Sequence, residues 1–123
     1  MKPSESNMPG PNHFAYLEPV IRESDGVELA LCWNESDDLF YVCESAPAGG
    51  VVAGREMGEQ AVRYAHYKGN RYDYLGMAIQ YADSVIMAVY RSVDTRICYV
   101  RPHEEFFGDV LVDGQEVRRF GLA

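Results

Sequence analysis

The sequence predicts a mainly β protein, with a small SH3-like antiparallel barrel in its C-terminal half, an N-terminal β-hairpin extension, and at most one or two short helices. Three observations carry that reading. The apolar runs are short, rich in Val, Ile, Tyr and Phe, and punctuated by Gly, Pro, Asn and Asp, which is the pattern of strands joined by turns. The run from Val85 to Tyr90 is almost continuously apolar, as in a strand buried on both faces. Near the end, Pro102 stops a strand, His103-Glu104-Glu105-Phe106-Phe107 fits one helical turn, and Asp113-Gly114 suits a type I′ hairpin. About five short strands of this kind suit a bent sheet whose closure removes exposed edges.

The elements follow in order. Residues 1–12 hold Pro3, Pro9, Gly10 and Pro11 without an apolar segment, and read as a disordered lead with no secretory signal. Residues 14–22 form an apolar stretch broken by Pro19, which suits an edge strand. Residues 27–33 and 39–45 flank the polar Asn34-Glu35-Ser36-Asp37-Asp38 as a hairpin. Ala46-Pro47 and the glycines after them read as a loop, and a short helix is expected near 54–62. Strands follow at 64–67, 72–81, 85–92 and 97–100, with Lys68-Gly69-Asn70 and Ala82-Asp83-Ser84 as turns. A last pair at 110–112 and 116–120 closes the chain. The domains expected are the lead (1–12), an acidic hairpin extension packed on the core (13–62) and the SH3-like unit (63–123).

Charge divides the chain. Residues 1–62 hold eleven acids against three bases, and residues 63–123 eight against eight, so the net −8 lies entirely in the first part. Such acidity repels the like-charged backbone of duplex nucleic acid and argues against binding it in general, although a local basic patch can still act within a Debye length of about 8–10 Å. No apolar run reaches the roughly 18–20 residues that cross a bilayer as a helix, so no membrane partner is expected. Cys32, Cys43 and Cys98 have no paired zinc-site spacing, and three thiols fit a reducing, cytoplasmic setting. Opposition of Cys32 and Cys43 across the hairpin does not by itself supply disulfide geometry, and buried free thiols are expected.

Several motifs recur together in the second half: His66-Tyr67-Lys68-Gly69-Asn70, Tyr72 with Leu75-Gly76, Val89-Tyr90-Arg91, Val100-Arg101-Pro102, Phe106-Phe107 and Val112-Asp113-Gly114. In order and approximate spacing, residues 64–120 resemble the small bacterial and phage domain catalogued as domain-of-unknown-function family 1653. Tyr99 stands where that pattern has a tryptophan, and Arg118 where it has a proline. The resemblance implies a small β domain and brings no catalytic mechanism with it.

The residues that suggest binding are His66, Tyr67, Lys68, Tyr90, Arg91 and Arg101. If the strands pair as a meander, two guanidinium forks and a lysine approach one another beside tyrosine faces, which suits a small anionic, nucleotide-like ligand. The competing reading pairs Arg91 and Arg101 with Asp73, Asp83, Glu104 or Glu105 at the surface. Seven of the nine tyrosines lie in the second half, where half-buried strand positions explain them better than base stacking, since this half is not basic. His13, His66 and His103 have no metal-ligand spacing, Cys98 is bracketed by apolar residues, and no catalytic constellation is visible. The expectation is a non-enzymatic protein without cofactor or metal that binds a small anionic ligand or a protein partner. The rival reading is an acidic interaction module, acting through Glu35, Asp37 and Asp38, that occupies the basic groove of a host nucleic-acid enzyme. A site assembled from distant residues would leave room for an unrecognised enzyme.

Overall fold

The computed structural model describes residues 13–47 and 56–123. The strands are β1 (Phe14–Arg22), β2 (Val27–Asn34), β3 (Leu39–Cys43), β4 (Val62–His66), β5 (Arg71–Gln80), β6 (Ile86–Ser92), β7 (Cys98–Pro102), β8 (Asp109–Val112), β9 (Gln115–Arg118) and β10 (Phe120–Leu122), with one short helix, α1 (His103–Phe106), among the described residues. The protein is mainly β, as the turn-punctuated apolar runs predict.

Eight strands make one mixed sheet in the order β10-β4-β5-β3-β2-β1-β7-β6, and β5 also pairs with β6, so β5, β3, β2, β1, β7 and β6 form a ring of hydrogen bonds. It is not a regular barrel. Most neighbours are antiparallel, but β1 runs parallel to β7 through Ile21–Tyr99 and Arg22–Val100, and β3 runs parallel to β5 through Tyr41–Ile79 and Val42–Gln80. These two parallel seams are where the N-terminal strands enter. Pro19 is tolerated in β1 because it faces Ala30 of β2 and lies outside the short β7 pairing, so no ladder donor is missing there.

The ring encloses an apolar core of Val20, Leu29, Leu31, Val42, Ala78, Met87, Val89, Cys98 and Val100. A second cluster, Phe14, Ala30, Cys32 and Tyr41, backs the β1–β3 side. A third, Ala88, Tyr90, Phe106 and Phe120, backs β5–β7 under α1 and β10. Strand alternation explains the division: Met87 and Val89 face the ring interior while Ala88 and Tyr90 face the aromatic side, and all four are buried. The two-sided burial expected for this strand is what the structure has.

Three local expectations change. Residues 56–61 contain no helix, since Gly58 adopts φ +90, outside helical backbone, before β4 begins at Val62; residues 54 and 55 lie outside the described residues, as do the lead and residues 48–50 of the loop. The last strand, expected over 116–120, is two: β9 ends at Arg118, the Arg119 N–H bonds the Gly108 carbonyl, and β10 turns away to pair with β4. The sheet is mixed where an antiparallel barrel was expected, because the N-terminal strands insert between β5 and β7. The Asp113-Gly114 turn has φ of 50 and 81 at its two residues, the left-handed pair a type I′ hairpin requires.

Candidate functional site

The turn between β4 and β5 is built by its backbone. The Gly69 N–H reaches the His66 carbonyl and the His66 N–H the Asn70 carbonyl, each at 2.7 Å, and Gly69 supplies the φ of +112 that closes the loop. His66 Nδ1 accepts the Lys68 backbone N–H at 3.2 Å, which leaves Nε2 as the protonated nitrogen of the neutral ring. The imidazole lies 4.5 Å from the Tyr67 ring and meets the Phe120 ring edge-on at 5.0 Å. The Lys68 ammonium stands 5.8 Å from the Tyr67 centroid and the Arg101 guanidinium 5.8 Å from that of Phe120. The Tyr67 N–H donates to the Arg119 carbonyl at 2.9 Å. Lys68, Tyr67, His66, Phe120 and Arg101 thus form one contiguous series, with Arg119 tied to its middle.

Arg101 is the fixed end of this series. Its Nη2 donates to Glu23 at 2.8 Å, its Nη1 to Glu105 at 3.2 Å and its Nε to the Tyr90 hydroxyl at 3.2 Å, while that hydroxyl donates to Glu23 at 2.7 Å. Glu23 comes to Arg101 because β1 runs beside β7, where the Glu23 N–H bonds the Val100 carbonyl. Burial is the main reason the Tyr90 phenol is pushed well above its ordinary range, so it stays protonated and acts as a donor. Of the surface partners expected for the two arginines, Glu105 is the one found on Arg101, and the stronger partners are N-terminal carboxylates.

The proton affinity of His66 is lowered, first by burial and then by the charge of Arg101, with Arg119 and Lys68 adding to the effect and Glu23 opposing it. Three cations and one carboxylate therefore bear on the ring. Glu23 is already held by Arg101. Among the described residues Lys68 and Arg119 have no ion pair, and Arg119 Nε is buried without a hydrogen-bond partner.

Arg91 is not in this series. Tyr90 and Arg91 are neighbours in a strand and point to opposite faces, so Tyr90 joins the aromatic cluster while Arg91 turns to the ring interior and pairs with Glu18 at 2.7 Å. At the other candidate surface, Asp37 accepts the Tyr41 hydroxyl and the Leu39 N–H, Asp38 accepts the Trp33 indole N–H at 2.9 Å, and Glu35 is exposed. Two of the three turn carboxylates thus hold the β2–β3 hairpin together. The second-half tyrosines pack: Tyr64, Tyr72, Tyr74 and Tyr99 surround Tyr90, Phe106 and Phe120, and the last two rings stack at 4.0 Å.

His103 bonds the Tyr74 hydroxyl at 2.9 Å, and burial lowers its proton affinity. All three cysteines are free thiols, and burial pushes Cys98 up to about 12, which keeps it from acting as a thiolate. Among the described residues no group of His, Cys, Asp and Glu is placed to hold a metal ion.

Sequence reasoning missed Glu23, Phe120 and Arg119. Glu23 carries no local signal, since only the parallel β1–β7 seam brings it to Arg101. Arg119 and Phe120 were readable as the tail of a hairpin, and the break at Arg119 depends on pairing with β4. No curated protein and no solved structure matches the chain. Residues 62–122 match the family described as Protein of unknown function (DUF1653), as the motifs of the second half had indicated, and this part of the chain is a domain of that family.

Proposed function

We propose that this protein is a binding protein whose second half takes a small oxyanion, a phosphate or carboxylate of a nucleotide-like ligand, on the face formed by His66, Tyr67, Lys68 and Arg119. The observation that carries this is the unpartnered donor of Arg119 beside His66 and Lys68. A buried charged donor left without an acceptor costs about 1–3 kcal/mol or more, and an oxyanion would supply the missing acceptor. Tyr67 adds a stacking face for the ligand's body, since 40% of its surface is exposed. In this reading Arg101 and Tyr90 do not contact the ligand directly; they set the field at His66 and hold Phe120 in place beneath it.

The finer description of the second half as an SH3-like unit belongs to the same proposal. What supports it is the order β10-β4-β5-β6-β7, an antiparallel meander whose last strand returns to the first after the single turn of α1. The β8–β9 hairpin is then an insertion before that return.

The test is a titration of the full chain with inorganic phosphate and with adenosine monophosphate, followed by calorimetry and by the NMR signals of His66. Saturable binding that shifts His66, and that weakens by about tenfold or more in Arg119→Gln and Lys68→Ala, is the expected result. Absence of any saturable shift at His66 would end the proposal.

A further inference from the structure

The inner face of the ring changes character at one end. Reading inward-facing positions along the strands, β6 gives Met87, Val89 and then Arg91; β1 gives Val20 and then Glu18; β5 gives Ala78, Gly76 and then Asp73. Apolar plug therefore gives way to charge at this mouth, and also at the opposite end of the ring, where Arg22 of β1 donates to Gln80 of β5 at 3.2 Å. Two strands carry a β-bulge at this level. Tyr16 faces Cys32 and Glu18 faces Leu31, so Leu17 is the extra residue of β1; Tyr74 faces Tyr90 and Gly76 faces Val89, so Leu75 is the extra residue of β5. Each bulge lets two consecutive residues share the interior side, and both leucines pack against the ring core.

The result is an open cleft of about 520 Å³, lined by the apolar Leu17, Met57 and Leu75 and by the charged Glu18, Glu56, Asp73, Arg91 and Arg96. That size falls in the range of about 300–1,000 Å³ in which small-molecule sites lie, and barrel mouths are a recurrent place for them. The charges are of both signs and are not equally engaged. Arg91 holds Glu18 at 2.7 Å, and Asp73 takes two bonds from Arg63 at 2.9 and 3.3 Å. Arg96, 64% exposed, reaches Asp73 only at 4.0 Å. Glu56 is exposed and has no close cation among the described residues. One anchor for an anion and one for a cation thus share a cleft with three apolar side chains.

We propose that this mouth is a second ligand site, separate from the His66 face, for a small dipolar molecule carrying an amine and an acid on an apolar body, the chemistry of an apolar amino acid or dipeptide. Its acid group meets Arg96, its ammonium meets Glu56, and its apolar side chain lies over Leu17, Met57 and Leu75. The other pairs, Glu18 with Arg91 and Asp73 with Arg63, stay closed and keep the charged wall beside the ligand neutral.

The experiment uses the full chain and four probes: leucyl-leucine, phenylalanine, N-acetyl-phenylalanine and phenylalanine amide, each titrated while backbone amide NMR signals are recorded. The expected result is saturable binding of the first two, with shifts at Leu17, Leu75 and Arg96, and affinity about tenfold lower for the probes lacking the ammonium or the carboxylate. Arg96→Ala and Glu56→Gln, both surface changes, should each weaken binding about tenfold while Arg119→Gln leaves it unchanged. Equal binding of all four probes, shifts at His66 instead of the mouth, or no saturation overturns the proposal. Loss of phosphate binding at His66 in the same samples would bear on that face alone.

Discussion

Arg101 is the residue on which two halves of the chain meet. Its side chain is 12% exposed and touches Glu23, Glu105 and the Tyr90 hydroxyl. Removing it leaves Glu23 in a half-buried position with only the phenol as partner. Arg101→Ala should therefore cost about 2–4 kcal/mol in urea unfolding, and the cost should shrink when Glu23→Ala is already present. Equal costs in both backgrounds would mean that the pair is not coupled. This alters the simplest mutational test of the anion face, since Arg101→Ala acts on the fold as well as on a ligand, whereas Lys68 and Arg119 do not carry the same network. The histidines supply a pH signature. Burial, helped at His66 by Arg101, lowers the proton affinity of both His66 and His103. A histidine with a folded value below its unfolded one takes up protons more readily in the unfolded chain. Its contribution is complete above the unfolded value of about 6.5 and is lost as pH falls from there toward the folded value. Urea midpoints should thus decline from about pH 7.5 to 5.5, and His66→Gln with His103→Gln should flatten that decline. Asp25, Asp73 and Asp83, all held below the usual carboxylate range by hydrogen bonds, act only at lower pH, where their protonation removes stability.

At the scale of elements, the bulged β5 and the segment before β4 are fitted to each other. Gly58 has φ +90, and a methyl group there would lie 2.6 Å from Leu75 Cδ2, the residue that the β5 bulge turns inward. Gly114 also has positive φ, but a methyl group there meets open space. Gly114→Ala should cost about 1 kcal/mol from backbone strain alone, and Gly58→Ala about 2–3 kcal/mol because overpacking is added to it. Similar costs at the two sites would show that Leu75 swings aside, which thermal melts of the two variants can decide. The β5 meander and the Asp113-Gly114 turn were legible from alternation and turn chemistry. The bulges were not, since an extra residue in a strand leaves an apolar pattern almost unchanged until the partner strand is known.

The whole molecule depends on its two parallel seams. The interior-facing residues of β5–β7, Ala78, Met87, Val89 and Val100, are covered by Val20, Leu29, Leu31 and Val42 from β1–β3. A fragment of residues 62–123 would present that apolar face and two open strand edges to water. It should self-associate and bind a hydrophobic dye, while the full chain does not; a monomeric fragment with dispersed NMR signals would show that the family domain in this chain closes by itself.

What the sequence determined by itself is local: the β class, the turn positions, the two-sided burial of β6, the single helical turn, and the family to which residues 62–122 belong. These rest on periodicity, turn residues and ordered motifs, all written within a few neighbouring positions. The tertiary structure alone decided that β1 runs beside β7 and β3 beside β5, that Glu23 holds Arg101 and Glu18 holds Arg91, and that Tyr90 and Arg91 serve opposite faces of one sheet. Those choices depend on which strands pair across long sequence separations. Each pairing is selected by the joint burial of many apolar faces, which no single stretch of the chain records.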